Sequence, residues 1–346
     1  MEGTRRRGRI PAAGIGSITR AAVGALVLVV AAVDVFGGLG FEPPGPVGLA
    51  VLLSEHLTLL GLLALPLAVR GPRSGVVRIA LLVLVAIGLL RFGDEWLSRP
   101  GGPTGLIRSV GGPSVATWNL EVGSRSAADT VAVLAAHPAD LLALQELTPD
   151  VAAAIKADTA LGSRYPYRVL VPRSDPEGLG LLSSDPLGDV RFELGPARLW
   201  ATVERTTRPL RVANVHPLPA TIERGPLGLP VGLDTTRRDA DLARIRAEIE
   251  VGRNGPPVVL VGDVNAAPTE RGFADLAAGL ADAHVEAGLG PGWTWRPSRL
   301  EPLGFGLLRI DVVMTDPALH ATTETIACPT TGDHCLLRVD VAPERP

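Results

Sequence analysis

Between Ser114 and Val341 one pattern recurs: a short apolar run stops on a polar residue where the chain leaves it. Val115-Ala116-Thr117-Trp118 stops on Asn119, Asp140–Leu144 on Gln145 and Glu146, and Val212-Ala213-Asn214-Val215 on His216. Val258–Gly262 stops on Asp263 and Asn265. Asp311 sits at the start of Ile310–Thr315, and Asp333 with His334 precedes Leu336–Val341. Short apolar runs bounded in this way read as strands buried on both faces. Strand ends are where a rigid packed sheet presents site residues. Taken singly, an Asn or Asp there is a turn or cap, and Glu146 is a favourable first-turn residue of a helix. The repetition of the placement points instead to one site.

The spacing predicts strands at Ser114–Leu120, Asp140–Leu144, Leu179–Ser183, Leu199–Glu204, Leu210–His216, Pro257–Gly262, Ile310–Thr315 and Leu336–Val341. It predicts helices at Ala127–Ala136 (N-capped by Ser126), Thr148–Thr159, Thr235–Val251 and Glu270–Ala278. Mixed strands and helices in this order imply one α/β domain, residues 113–346, with more than one layer of sheet.

The residue types are chemically coherent. Asn119, Glu146 and Asp333 offer hard oxygen ligands suited to Mg²⁺ or Mn²⁺. No zinc-ligand spacing, Gly-rich phosphate loop or GxSxG elbow is present. A cation held by few carboxylates, with Asp and His around it, suits phosphoester hydrolysis. The cation polarises phosphoryl oxygens, an acid–base group activates water, and histidines offset developing charge.

The preceding region differs. Hydrophobic residues make up 46% of the chain and mean hydropathy is +0.27, an excess concentrated before Arg91. Three apolar segments, about 18–39, 47–69 and 76–92, predict a membrane anchor over residues 1–92. The third is the shortest, and an interfacial or buried helix is its alternative. The first has the basic start of a signal peptide but is long, lacks a clear cleavage site and is followed by further spans, so an uncleaved anchor is expected. Arginines flank the N-terminus and the second loop, whereas the first loop holds only Glu42. The positive-inside rule then places the C-terminal domain outside the cell if all three segments span, and inside if the third does not. Glu55 and His56 lie within the second segment. Ionisable residues at membrane depth are functional candidates, with a helix–helix hydrogen bond as the favoured alternative. Residues 93–112, rich in Gly and Pro, read as a linker.

The net charge of -3 conceals an asymmetry: residues 1–100 carry 10 Arg against 6 acidic residues, and the remainder is acidic. The domain lacks the basic footprint of a nucleic-acid-binding surface, which argues against that partner. Cys328 and Cys335 are free thiols in a reducing compartment, or a short disulfide loop outside the membrane.

As an ordered set, Asn119 in TWNL, Gln145-Glu146 in LLALQE, His216 in VANVHP, Asp263 and Asn265 in VLVGDVN, Asp311 in RID and Asp333-His334 in GDH resemble the signature of the endonuclease/exonuclease/phosphatase superfamily. The resemblance implies a four-layer sandwich, two mixed sheets face to face with helices outside. It implies Glu146 as principal metal ligand with Asn119 beside it and Asp333 as a further metal-side carboxylate. Asp263 would orient or deprotonate the attacking water, and Asn265 would hold a phosphoryl oxygen. His334 would contact the phosphate, oriented by Asp311, and His216 would stabilise the transition state or leaving group. Val312, Val264 and Gly332 depart from the commoner His, Phe and Ser, which puts close kinship with the nucleases in doubt.

Three spans before such a domain make the arrangement similar to the actinobacterial teicoplanin-resistance membrane phosphatases, which act on undecaprenyl pyrophosphate. That resemblance implies the bilayer and a phosphorylated lipid as partners. Trp293, Trp295 and Leu303–Leu308 form either an apolar lip or ordinary packing, with Arg296, Arg299 and Arg309 near enough to meet a second phosphate. An extracytoplasmic nuclease or sphingomyelinase-like phosphodiesterase is the alternative enzyme, and a non-catalytic membrane binding module the alternative of another class.

Overall fold

The apolar runs form strands because each buries side chains on both faces. Along the second run, Leu141 and Ala143 face the space between two sheets while Leu142 and Leu144 face a helical layer. The computed structural model describes residues 28–40, 45–69, 75–97 and 112–343. Its helices are α1 (Leu28–Gly38), α2 (Pro46–Leu52), α3 (Ser54–Val69), α4 (Gly75–Trp96), α5 (Ala127–Ala136), α6 (Pro149–Ala157), α7 (Thr159–Arg164), α8 (Thr236–Val251), α9 (Arg271–Ala277) and α10 (Ala283–Ala287). Its strands are β1 (Ser114–Asn119), β2 (Leu141–Gln145), β3 (Tyr167–Val171), β4 (Leu179–Ser183), β5 (Leu187–Glu193), β6 (Ala197–Val203), β7 (Leu210–His216), β8 (Thr221–Arg224), β9 (Pro230–Asp234), β10 (Val258–Asp263), β11 (Ala281–Asp282), β12 (Asp311–Thr315), β13 (Leu319–Ala327) and β14 (Leu336–Pro343).

Two mixed sheets result, ordered β13-β14-β1-β2-β4-β3 and β11-β12-β10-β7-β6-β5, with β8-β9 as a separate hairpin. They are built alike. Each has one parallel pair at its centre, β1–β2 in the first and β7–β10 in the second, and its remaining pairings are antiparallel. Val115, Leu181, Leu199, Val212, Val261 and Val339 fill the space between the sheets. Trp118, Leu142 and Ile155 pack the outer face of the first sheet, and Trp200, Leu260 and Ile245 that of the second. Two sheets with helices on the outer faces are the layered architecture that the resemblance implies.

The predicted strands and helices are all present, Ala127–Ala136, Leu179–Ser183 and Leu210–His216 at the expected bounds and the others with shifted ends. The predicted helix Thr148–Thr159 divides at Asp158, whose side chain accepts the Leu161 N–H and so caps α7. Ser126 caps α5 in the same way, accepting the Asp129 N–H at 3.1 Å.

The N-terminal region does not match the three expected spans helix for helix. Among the described residues no single helix is long and apolar enough to cross a membrane. Helix α3 has 16 residues, a length of about 24 Å against a hydrocarbon core of about 30 Å. Helix α4 has 22 residues but carries Arg78 near its start and Arg91, Asp94 and Glu95 near its end. Helix α2 with the first part of α3 reaches the length and apolarity of a span only as a pair bent by 56°. Helix α4 also continues to Trp96, past the expected anchor end at 92. Residues 1–27, the loop residues 41–44 and 70–74, and 98–111 of the expected linker lie outside the described residues.

These helices pack on the α/β layers. Gly45 exchanges backbone hydrogen bonds with Leu233 of β9. Gly232 permits this approach, since a Cβ there would lie 2.7 Å from the Gly45 Cα. Glu95 of α4 and Asp282 of β11 both pair with the buried Arg309, at 3.1 and 2.7 Å.

Candidate active site

Parallel strands point their carboxyl ends the same way, and a crevice opens beyond those ends. Asn119 ends β1, and Glu146 follows Gln145, the last residue of β2. His216 ends β7, Asp263 ends β10, and Asp311, paired in register with Asp263, opens β12. The loop before β14 brings Asp333 and His334. Asn119, Glu146, His216, Asp263, Asn265, Trp295, Asp333 and His334 line one cavity, and Asp311 stands directly behind His334.

The geometry is tight. Asn119 Nδ2 donates to Glu146 Oε1 at 3.1 Å and to Asp263 Oδ2 at 3.0 Å. His216 Nε2 lies 3.8 Å from Glu146 Oε1 and 3.6 Å from Asp263 Oδ2. Its Nδ1 meets the Pro176 carbonyl at 3.0 Å. A carbonyl only accepts, so Nδ1 carries the proton and Nε2 is left facing the carboxylates. His334 Nδ1 lies 2.9 Å from Asp311 Oδ2, and its Nε2 3.5 Å from Asp263 Oδ2.

Burial sets the electrostatics. Desolvation raises the Asp263 pKa, with Asp311 adding and His334 and His216 opposing. The Asp333 carboxyl is pushed up to about 6, first by desolvation and then by Glu121 and Glu146, against His334. Desolvation acts to lower the His334 pKa, but Asp311 and Asp263 outweigh it and hold the imidazole at about 10. His334 is therefore a fixed cation at neutral pH, inside a ring of carboxylates.

Two of the site residues hold unusual backbones. Glu146 has φ 55° and Asn265 has φ 52°, the left-handed region. Side chains rarely adopt it without local compensation. At Glu146 that compensation includes the Val122 N–H, donated to Oε2 at 2.9 Å. At Asn265, Asp263 Oδ1 accepts the backbone N–H at 2.8 Å, and the side-chain amide donates to the Pro217 carbonyl at 3.1 Å. Gly262 is required just before Asp263, because a Cβ there would lie 2.1 Å from the Val215 carbonyl.

The site fits a divalent cation. Glu146, Asp263 and Asp333 are hard oxygen donors, and Asp311 Oδ1 and Asp333 Oδ1 are buried without a hydrogen-bond partner. Among the described residues the tightest cluster of carboxylate and histidine ligand atoms is Asp263, Asp311 and His334, within 4.8 Å of one another. That set differs from the expected Asn119, Glu146 and Asp333. His334 is already spent on the two carboxylates of the cluster, so it serves them as counter-ion. Asn119 turns its donor end to the carboxylates and accepts the Glu121 N–H on Oδ1 at 2.9 Å, which leaves the second lone pair of that oxygen for a cation.

Two expectations for substrate contact are corrected. Arg296 is fully buried and donates to the Pro329 and Gly332 carbonyls, at 2.5 and 3.0 Å, with Cys335 Sγ at 3.7 Å. It organises the loop closed by the Cys328–Cys335 disulfide rather than facing the cavity. Arg309 is held by Glu95 and Asp282. Trp295 does line the cavity, and its indole donates to Asp333 Oδ2 at 3.0 Å.

Other residues support the site, and one of them does so without a sequence signal. Arg238 of α8, 1% exposed, donates to the Asn265 carbonyl at 2.9 Å and pairs with Glu270 at 2.8 Å. Nothing in TRRDADLARIR separates it from Arg237. Gln145 Nε2 donates to Asn214 Oδ1 at 2.7 Å, joining the two sheets beneath the cavity. Asn214 in turn donates to the Leu144 and Gly180 carbonyls. Its signal was a lone amide inside the apolar run Leu210–His216.

The fold and this crevice define a phosphoesterase-type α/β sandwich. The sequence model of the endonuclease/exonuclease/phosphatase family matches residues 116–334, well over half the chain, and the chain belongs to that family. Its members are generally hydrolases of phosphoester bonds and commonly use divalent metals. Solved structures agree on the fold. A humanised D. rerio TDP2 superposes with TM-score 0.52 at 15% identity, covering 66% of this chain and 98% of that one. A conserved protein of unknown function from Enterococcus faecalis V583 gives 0.51 at 19%, covering 67% and 100%. A family protein from Bacteroides thetaiotaomicron gives 0.51 at 16%, covering 68% and 100%. No curated protein matches the chain in sequence.

Proposed function

We propose that the chain is a membrane-anchored, Mg²⁺- or Mn²⁺-dependent phosphatase acting on a phosphoester or pyrophosphate bond of an amphiphile, with undecaprenyl pyrophosphate on the outer face of the membrane as the leading substrate. The observation that carries this is the cavity itself, about 410 Å³. One end holds Glu146, Asp263 and His334. Most of the remaining wall is apolar, built by Leu52 of α2, Leu218, Ile222 of β8, Leu233 of β9, Leu308 and Ile310, with Glu177, Arg238 and Glu270 also on the lining. A phosphate head placed at the polar end leaves a hydrocarbon tail against that wall, towards the N-terminal helices. Those helices expose Leu60, Leu63, Ile79, Leu82, Leu89 and Leu90, an apolar exterior that favours a bilayer over water. The reading keeps the resemblance to the teicoplanin-resistance membrane phosphatases, which rests on the apolar segments that precede such a domain in the sequence.

A bound divalent cation would supply charge to the phosphoryl oxygens, held by Glu146 with Asp333. Asp263, between His216 and His334, orients the attacking water and accepts its proton, a role its raised pKa favours. His334, held cationic by Asp311, offsets charge on the phosphoryl group. His216 faces the leaving-group side, and Asn265 presents an amide from its strained turn.

The test is phosphate release from undecaprenyl pyrophosphate by the full chain in detergent, with Mg²⁺, with EDTA, and with Glu146→Ala. Release that needs the cation and Glu146 is expected. Hydrolysis of a DNA oligomer or sphingomyelin with no release from the pyrophosphate would replace this reading with a phosphodiesterase. A reporter fused at Gly112 that is active only in the cytoplasm would overturn the outward orientation.

A further inference from the structure

Glu55 and His56 stand out in the sequence as polar residues in an apolar segment, and the reaction at the crevice gives them no direct part. Their contacts lead to the site nonetheless. Glu55 lies in the first turn of α3, 8% exposed. Each of its carboxylate oxygens accepts one indole N–H: Oε1 from Trp96 of α4 at 2.7 Å, and Oε2 from Trp293 at 3.0 Å. His56 stacks on the same Trp293 ring, centroids 4.7 Å apart and planes 8° from parallel. Two adjacent residues of one helix thus hold a single indole by its edge and its face.

The indole begins a three-residue segment in which every further residue touches the catalytic group. Thr294, 1% exposed, accepts the Asp311 N–H on Oγ1 at 3.1 Å and the Cys335 N–H on its carbonyl at 2.7 Å. Trp295 forms a backbone bridge with His334, and its indole donates to Asp333 Oδ2. Asp311 opens β12, whereas Asp333 and His334 ride on the loop before β14. The segment is the splint that holds these two elements in register, and α3 fixes its first residue.

We propose that Glu55 and His56 are positioning residues of the phosphoester site, acting through Trp293–Thr294–Trp295 on Asp311, Asp333 and His334. The proposal rests on the reading of those three as the catalytic group. It gives the N-terminal helices a function beyond attachment: the site is complete only while α3 grips Trp293. Metal-site partners one shell removed from the ligands change affinity or activity by about 10- to 100-fold.

The experiment uses the full chain in detergent and the variants Glu55→Ala, Glu55→Gln, His56→Ala and His56→Phe. Thr58→Ala serves as control, because Thr58 donates only to Asp34 of α1 and perturbs α3 without touching the splint. Phosphate release from farnesyl pyrophosphate gives kcat and KM, and calorimetry gives the Mn²⁺ dissociation constant. For Glu55→Ala and His56→Ala, kcat is expected to fall about tenfold or more with KM little changed, and Mn²⁺ binding to weaken. Glu55→Gln, which keeps one oxygen acceptor, and His56→Phe, which keeps the stack, recover much of the loss. The proposal is overturned if the folded Ala variants match the wild type in both readouts, or if Thr58→Ala loses as much as they do. Should Glu55→Ala not fold, the His56→Ala to His56→Phe contrast decides. A wild type that releases no phosphate counts against the phosphatase reading, while the Mn²⁺ measurement still decides this one.

Discussion

His334 and Asp311 share a hydrogen bond of 2.9 Å in a pocket where their side chains are 6% and 0% exposed. An ionised carboxylate only accepts, so the imidazole Nδ1 donates, and Nε2 is turned towards Asp263. The pair orients the ring and fixes its charge at once.

That pairing predicts a pH signature. The folded pKa of His334, about 10, lies above its ordinary value of 6.5. Its contribution to stability is therefore fully present below about 6.5 and is lost as pH rises through about 10. The thermal midpoint of cation-free protein is expected to decline over that window. In Asp311→Asn the imidazolium loses its nearest counter-charge, so the decline moves to lower pH. The same variant is expected to lower kcat by about 10²-fold or more. A midpoint with the same pH profile in both proteins would refute the assignment.

Asp333 predicts how metal binding depends on pH. Its carboxyl is raised to about 6, so acidification protonates it before an ordinary aspartate. If it is a ligand, Mn²⁺ affinity falls about tenfold per pH unit below that value, because one proton competes with the cation. Calorimetry at a series of pH values measures this directly. Asp333→Asn should bind weakly at every pH, and a flat profile in the wild type would remove Asp333 from the ligand set.

Much of this site was legible because its residues end central strands. Asn119, Glu146, His216 and Asp263 follow runs buried on both faces, and such runs leave a clear apolar signal. The unforeseen strands β3, β5, β11 and β13 are the four sheet edges, where burial is partial and polar residues interrupt the pattern. The β8–β9 hairpin was missed for the same reason, and with it the apolar wall formed by Ile222 and Leu233. Arg296 misled because sequence proximity to Trp295 says nothing about direction: its guanidinium turns inward to the Cys328–Cys335 loop. The supporting role of Arg238 depends on a helix meeting the Asn265 turn, a contact that no local spacing records.

Backbone strain at Glu146 gives a prediction of inverted sign. At most positions alanine is more stabilising than glycine. With φ 55° at residue 146, a Cβ is disfavoured by about 1 kcal/mol or more. Glu146→Gly is therefore expected to be more stable than Glu146→Ala by about 1 kcal/mol in urea unfolding of cation-free protein. Both should lack activity, since both lack the carboxylate. Alanine as the more stable variant would show that this turn relaxes when the side chain is removed.

The apolar wall predicts a split between substrates. Leu218 and Ile222 line the cavity yet are 47% and 44% exposed, so a charge at either position costs little in folding. For a long-chain isoprenyl pyrophosphate the same charge removes apolar contact worth about 0.8 kcal/mol per CH₂ of tail. Leu218→Glu and Ile222→Glu are each expected to raise its KM about tenfold, a change of about 1.4 kcal/mol. Hydrolysis of p-nitrophenyl phosphate, which has no tail, should stay close to the wild-type rate. Equal losses on both substrates would place these residues in the reaction itself, and no loss on either would mean that the tail leaves the crevice by another path.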